Sequence, residues 1–196
     1  TNSTIAAALV AAKAGLALAH VEAGLRSFRR GMAEEVNRVV TDRLSTHLFC
    51  PTTTAVDNLR REGVVEGVHQ VGDVMYDAFL AAQAFDAAPP EALRADEPFA
   101  LATIHRAETT DDRATLASVL DGLKAVHQRL RVALPLHPRT RAAVERFGLD
   151  LDPLTVVAPL GYFETVAALS RARIVLTDSG GLQKEAYFAG APCVTI

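Results

Sequence analysis

At 196 residues with 49% hydrophobic side chains, the chain is long enough for one large or two small domains with buried sheets. Its 20 basic and 23 acidic residues are mixed along the sequence to a net charge of -3, which excludes the basic stripe that nucleic acid or an acidic membrane surface would need. Two distant cysteines without a partner motif, Cys50 and Cys193, argue against a disulfide framework or a zinc site; with no stretch of membrane-spanning length and no signal-peptide order at 1–20, they point to the cytoplasm.

The first residues, TNSTIAAALVAAKAG, set helix-capping types before an alanine-rich run and predict a helix at 3–13 with no strand before it. LALAHV at 16–21 predicts a strand, followed by a helix at 34–45. HLFC at 47–50 predicts the next strand, with helices at 52–61 and 73–84 behind it. FALATI at 99–104, VALPL at 132–136, TVVAP at 155–159, RIVLT at 173–177 and CVTI at 193–196 predict five more, with helices at 111–129, 138–147, 162–171 and 181–189 between them. This alternation means βαβ units and parallel sheets, an α/β fold. The stretch FDAAPPEALRADEP at 85–98, with three prolines and no strand signal, is expected to be a linker between a first domain at 1–84 and a second at 99–196. The chain stops in mid-strand, where a parallel strand calls for a following helix, so both ends are expected to be cut.

Three segments carry candidate chemistry. In RIVLTDSGGLQKEAYFAG at 173–190 an apolar strand runs into Asp178, Ser179, Gly180 and Gly181 and then a helix. Two glycines admit a ligand close to the backbone, and the free N–H groups of a first helical turn favour a phosphate; Glu185, one turn on, is placed to accept from ribose hydroxyls. The glycine pair fits a plain tight βα turn equally well. In AHVEAGLRSFRRGMAEEVNRVVTDRLS at 19–45, Glu22 falls just past a strand end and Glu34 and Glu35 begin a helix. Gly24 and Gly31 bracket Arg26, Arg29 and Arg30 in a stretch that reads as mobile and basic enough to meet phosphates. Glu34 and Arg38 share a helix face at i, i+4; by pattern alone a dipole-compensating carboxylate in a solvated ion pair is the better reading.

In FALATIHRAETTDD at 99–112, His105 and Arg106 follow a buried strand and precede a helix expected to be capped by Thr110 or Asp111. A histidine there serves as a general acid/base or phosphate donor, or merely begins a helix; the pattern does not choose. His137 sits at the next strand end, His20 and His47 lie in or beside strands, and His69 and His127 read as solvated. No metal spacing occurs among the six histidines, so no metal is expected. The sequence lacks a Gly-x-Ser-x-Gly elbow, a Walker A loop and a Gly-x-Gly-x-x-Gly fingerprint, which weakens esterase, ATPase and nicotinamide readings, and no cofactor is expected.

Taken in order, TNST at 1–4, HVEAGLRS at 20–27, MAEEVNR at 32–38, FCPT at 49–52, VGDVMYD at 71–77, TIHRAE at 103–108, PLHPRT at 135–140, APLGY at 158–162 and TDSGGLQKEA at 177–186 resemble the non-hydrolysing UDP-N-acetylglucosamine 2-epimerases. The resemblance covers the whole chain, and strings that are weak singly are specific in this order. It implies two Rossmann-like domains of the glycosyltransferase-B type with the active site in the cleft between them. It implies inversion at C2, by elimination of UDP to a 2-acetamidoglucal and return of proton and UDP, giving UDP-N-acetylmannosamine. Glu22 and Glu34 match the family's proton-transfer carboxylates, His105 its diphosphate-contacting histidine, Arg38 a nearby arginine, and Asp178, Ser179, Gly180, Gly181 and Glu185 its diphosphate and ribose segment. Partners implied are UDP-N-acetylglucosamine or UDP and a second copy in a homodimer.

Ala33, Thr109, Lys184 and Thr165 stand where the family usually has proline, asparagine, a second acidic residue and an aromatic near uracil; Tyr162 or Phe163 is the candidate to replace that aromatic. The family's first strand, basic loop and a catalytic aspartate would precede Thr1, and a substrate-contacting arginine would follow Ile196. The alternatives are a UDP-sugar glycosyltransferase on the same scaffold and a non-catalytic UDP-sugar-binding relative. The pair Glu22 and Glu34 favours the epimerase, because a transferase needs an acceptor site and usually no proton removal at C2.

Overall fold

The computed structural model describes residues 2–29, 31–85, 87–93 and 97–196. Thr1, Arg30 and, within the expected linker, Asp86, Arg94, Ala95 and Asp96 lie outside the described residues. The chain divides into two compact units, one up to Met75 and one from Tyr76 to Ile196.

The first unit runs through helix α1 (Asn2–Lys13), strand β1 (Ala19–Val21), helix α2 (Ala33–Leu44), strand β2 (His47–Cys50), helix α3 (Thr53–Arg61) and strand β3 (Val68–Gln70). Its sheet has the order β1-β2-β3 and is wholly parallel. Leu48 and Cys50 of β2 bury one face against Ala55 and Leu59 of α3 and Ala23 of the turn after β1. Helix α3 begins where the Thr52 side chain accepts from Ala55 N–H at 3.2 Å, and a cap of this kind fixes a helix start. Strand β3 is absent from the sequence expectations. Its three residues carry no apolar alternation and His69 and Gln70 are exposed, so the element exists only through pairing with β2.

The second unit contains most of helix α4 (Val74–Ala84), a 3-10 turn at Glu91–Leu93, and then β4 (Phe99–Thr103), α5 (Ala107–Thr110), α6 (Arg113–His127), β5 (Arg131–Pro135), α7 (Pro138–Phe147), β6 (Thr155–Val157), α8 (Tyr162–Leu169), β7 (Ile174–Thr177), α9 (Gly180–Phe188) and β8 (Cys193–Thr195). The five strands are parallel in the order β6-β5-β4-β7-β8. Alternate residues of β4 face opposite ways, Phe99 and Leu101 into one core with α4, α8 and α9, and Ala100 and Ala102 into another with α6 and α7. A sheet covered on both sides reads as a continuous apolar run, which is how FALATI reads. The proline-rich segment is expected to separate two domains. Its Leu93 and the helix before it, through Phe79 and Ala82, are buried with Phe99 in the core of the second unit.

Two local expectations change. The helix after His105 is in fact two: the short α5, then α6, whose cap is Asp112 accepting from Thr115 N–H at 2.7 Å rather than Thr110 or Asp111. His127, read as solvated, is half-buried, and its Nδ1 accepts from Val132 N–H at 3.1 Å at the start of β5.

In the turn after β1, Gly24 adopts φ +77°, and a Cβ there would collide with the Ala55 carbonyl and crowd Leu59 at 3.1 Å. Gly24→Ala is therefore expected to cost about 2 kcal/mol, since neither backbone can yield cheaply. A shift of the urea unfolding midpoint worth less than about 0.5 kcal/mol would contradict this packing.

Candidate active site

In the first unit the expected residues sit around one turn and one helix. Strand β1 ends at Val21, and Glu22 follows with φ +64°, a left-handed conformation that an unbranched but non-glycine residue adopts at a cost of about 1–3 kcal/mol. The turn is held from several sides. Ala23 N–H donates to Phe49 O at 3.1 Å, Gly24 N–H to Asp42 Oδ2 at 3.2 Å, and Asn58 Nδ2 to Gly24 O at 3.0 Å. Asp42 lies near the end of α2, its side chain fully buried, and also meets His20 Nδ1 at 2.6 Å and Arg26 Nη2 at 2.7 Å.

Arg26 corrects an expectation. Far from being a mobile phosphate-seeking cation, its side chain is 1% exposed and is bound by Asp42 and, through Nε at 2.6 Å and Nη2 at 2.7 Å, by Glu62. Burial opposes its charge, but the hydrogen bonds and charges of Glu62 and Asp42 outweigh burial and hold it above the usual arginine value.

Glu34 and Glu35 begin α2, yet their environments diverge. Glu34 is exposed; Glu35 is buried and its carboxylate accepts from Ser27 N–H at 2.8 Å, Ser27 Oγ at 3.0 Å and Phe28 N–H at 2.9 Å. Arg38 pairs with Glu35 at 3.6 Å rather than with Glu34, because the i, i+3 neighbour is the one turned inward. Glu35 and Asp42, seven residues apart, share the inner face of α2, and between them they fix the loop on which Glu22 stands. Sequence reasoning singled out Glu34 and passed over Asp42; the seven-residue spacing of two acids was the available signal.

In the second unit the strand order reverses direction of growth between β4 and β7: β5 and β6 extend one side, β8 the other. Crevices for ligands open at the carboxyl ends of strands at such a point. Here His105 follows β4 and Asp178–Gly181 follow β7. The ends are tied by Thr103 and Thr177, whose hydroxyls lie 2.6 Å apart, and Ser179 N–H donates to Thr177 Oγ1 at 2.9 Å. Ser179 then caps α9 by accepting from Leu182 N–H at 3.3 Å.

A cleft of about 360 Å³ lies over this junction, lined by His105, His137, Thr165, Ser179, Gly181 and Glu185 with an apolar floor from Leu101, Ile104, Leu160 and Leu182. Gly180 borders the Arg106 guanidinium: a Cβ there would stand 3.9 Å from Nη2. Cation, glycine pair and open helix terminus suit an anionic ligand. Glu185 is 9% exposed, and burial pushes its carboxyl up from the usual glutamate range while the Tyr162 hydroxyl, donating to it, pulls it part of the way back.

Asp178, expected among the substrate-binding residues, is not part of the lining of this cleft. It is 3% exposed, and Oδ2 accepts from His105 N–H at 2.9 Å and Arg106 N–H at 2.8 Å, so it sits beneath the cleft and holds its rim. His137, noted in the sequence only as a strand-end residue, faces the cleft with its ring 5.5 Å from that of His105. It is also the cap of α7, with Nδ1 accepting from Arg139 N–H at 3.1 Å; the His-Pro step at a strand-to-helix junction is the sequence signal for this. Thr165 lines the cleft and donates to Gly161 O at 2.9 Å, whereas Phe163 packs on Phe85 at 5.0 Å between ring centres. Among the described residues no cluster of His, Cys, Asp or Glu is placed to hold a metal ion, and no helix is long and apolar enough to cross a membrane.

Parallel sheets, one of them with a glycine-bearing helix terminus at its reversal point, define a doubly wound α/β protein. The family described as UDP-N-acetylglucosamine 2-epimerase matches residues 1–196, and the chain belongs to it. It is 50% identical over its full length to a UDP-2,3-diacetamido-2,3-dideoxy-D-glucuronate 2-epimerase of Pseudomonas aeruginosa, of which it covers 56%. It is 39% identical to a UDP-N-acetylglucosamine 2-epimerase of Methanocaldococcus jannaschii, covering 57%. The whole chain superimposes on 57% of a crystal structure of the M. jannaschii enzyme in complex with UDP-GlcNAc and UDP, with TM-score 0.86 and 38% identity. It superimposes equally fully on 57% of the Neisseria meningitidis enzyme bound to UDP-GlcNAc, with TM-score 0.84 and 26% identity. The chain thus spans little more than half the length of these relatives.

The Glu35 carboxyl gives a pH test of the loop. Burial opposes its ionisation, but the N–H groups of Ser27 and Phe28, the Ser27 hydroxyl and the nearby Arg26 charge prevail and hold it below its ordinary value of 4.5. A depressed folded-state value contributes stability that is present above the unfolded value and lost as the pH falls through the folded one. Glu35→Gln is expected to lower the unfolding midpoint at neutral pH and to flatten its fall below about pH 4.5; parallel wild-type and variant curves across that range would contradict it.

Proposed function

We propose that this chain carries the chemistry of a UDP-N-acetylglucosamine 2-epimerase acting in the cytoplasm. The observation that carries the reading is the second unit's cleft, where His105, Ser179, Gly181 and Glu185 surround a space at the strand reversal, in a fold whose relatives are described as bound to UDP-GlcNAc or UDP. In this reading the first unit is part of one Rossmann-like domain and the second unit most of the other.

The diphosphate lies against the Gly180–Gly181 end of α9 with His105 and Arg106 beside it, and Glu185 accepts from the ribose. As UDP leaves C1, its charge is met by these donors and the C2 proton is removed, leaving the 2-acetamidoglucal; proton return to the opposite face of C2 with readdition of UDP at C1 gives the manno sugar. Glu22 and Glu34 are the two proton-transfer groups, by their match to the family. The left-handed conformation of Glu22 in a turn bound on several sides supports a demanding position for that side chain. Arg38 adds positive charge one turn beyond Glu34. The two free cysteines agree with a reducing compartment. The proposal includes a homodimer.

A second substrate has an observation in its favour. Identity is higher to the diacetamido-glucuronate 2-epimerase, at 50%, than to the M. jannaschii UDP-N-acetylglucosamine 2-epimerase, at 39%. That sugar inverts the same carbon and differs by an acetamido group and a carboxylate, so the chemistry assigned to Glu22 and Glu34 is unchanged.

Incubation of the full-length protein with each UDP sugar in heavy water separates these readings. Deuterium at C2 and a C2-inverted product are expected; their absence with both sugars, or transfer to an added acceptor instead, would overturn the epimerase. Glu22→Gln is expected to abolish exchange with UDP binding nearly intact, and loss of UDP binding would show that Glu22 holds the nucleotide rather than the proton.

A further inference from the structure

The buried carboxylate under the cleft is only half satisfied. Oδ2 of Asp178 takes two backbone N–H groups, while Oδ1 is enclosed and has no hydrogen bond of its own. Nδ1 of His105 stands 3.1 Å from that oxygen, close enough for an ion pair but off the line of a hydrogen bond, and the His105 side chain is 39% exposed toward the cleft. A small turn of the ring completes the bond, and a buried acceptor favours that turn strongly.

We propose that Asp178 is the positioning residue of His105, its Oδ1 accepting from Nδ1–H and so leaving Nε2 as the nitrogen offered to the cleft. Such a bond selects the tautomer, since in a neutral ring only one nitrogen carries hydrogen. Diphosphate oxygens only accept. His105 therefore meets the ligand as an imidazolium, with a proton from solvent on Nε2 and the Asp178 carboxylate compensating the charge on the other side. The neighbouring ring is set the opposite way. Nδ1 of His137 already accepts from Arg139 N–H, so its hydrogen is on Nε2 and it donates without a change of charge. Arg106, whose N–H shares Oδ2, is the other cation at this rim.

The ligand half of this inference rests on the UDP reading; the tautomer half does not. Two-bond proton–nitrogen spectra of the histidine-labelled chain, recorded well above the usual histidine range and assigned with His105→Gln, read the tautomers directly. Wild-type His105 is expected to carry its hydrogen on Nδ1 and His137 on Nε2. In Asp178→Asn the amide oxygen keeps the two backbone bonds and its NH2 faces Nδ1, so His105 is expected to switch to Nε2–H while His137 stays as it is. UDP affinity in the variant is expected to fall at least tenfold. Nε2–H on wild-type His105, an unmoved tautomer in the variant, or unchanged UDP affinity would each overturn the proposal. Should the variant fail to fold, the wild-type spectrum decides alone. A wild type that binds no UDP overturns the function proposed above and leaves the tautomer assignment standing.

Discussion

Buried carboxylates that bind the backbone of strand-end loops are the constraint on which both candidate sites depend. A loop leaving the carboxyl end of a parallel strand carries N–H groups that no neighbouring strand takes up, and a buried N–H must find an acceptor. Asp42 takes Gly24 N–H, Glu35 takes those of Ser27 and Phe28, and Asp178 takes those of His105 and Arg106. An ionised carboxylate is a strong acceptor with capacity for several donors, so one side chain fixes several backbone positions at once. Arg26, which also binds Glu62, and the His20 ring meet Asp42, and Arg38 pairs with Glu35.

The same constraint explains a division of labour between adjacent residues. Glu34 and Glu35 are chemically alike and one position apart, yet the helix turns one outward and the other into the loop. The inner carboxylate is held below its ordinary titration range by its donors and is engaged with the loop. The outer one stays accessible on a helix that the inner one anchors. Arg26 and Arg29 make a similar contrast, since Arg26 is locked among acids and Arg29 is exposed on the loop that Arg26 stabilises.

In the second unit the cleft follows from topology. Growth of the sheet in opposite directions from β4 separates the helices that follow β4 and β7, and the gap is lined by whatever those strands end in. They end in His105 and in Ser179-Gly180-Gly181. Ser179 is used up as the cap of α9, while Gly181 and, one helical turn further, Glu185 line the cleft.

The order and type of nearly all elements were legible in the sequence, because local periodicity and caps are written in neighbouring residues: Thr52 before α3, His137-Pro138 before α7 and Gly148 after it. The exceptions are β3, which owes its existence to pairing rather than to its own three residues, and two short helical turns, Glu91–Leu93 and α5. The motif order likewise determined the family, and the strand-to-glycine pattern marked the cleft's helix terminus. What only the tertiary structure decided was which like residue is buried. Glu35 rather than Glu34 is enclosed, Arg26 is an internal ion pair, Asp178 lies under the cleft and His137 within it. Burial and hydrogen bonding come from groups distant in the chain, as Asp178 and His105 do, and a local pattern carries no record of what packs against it.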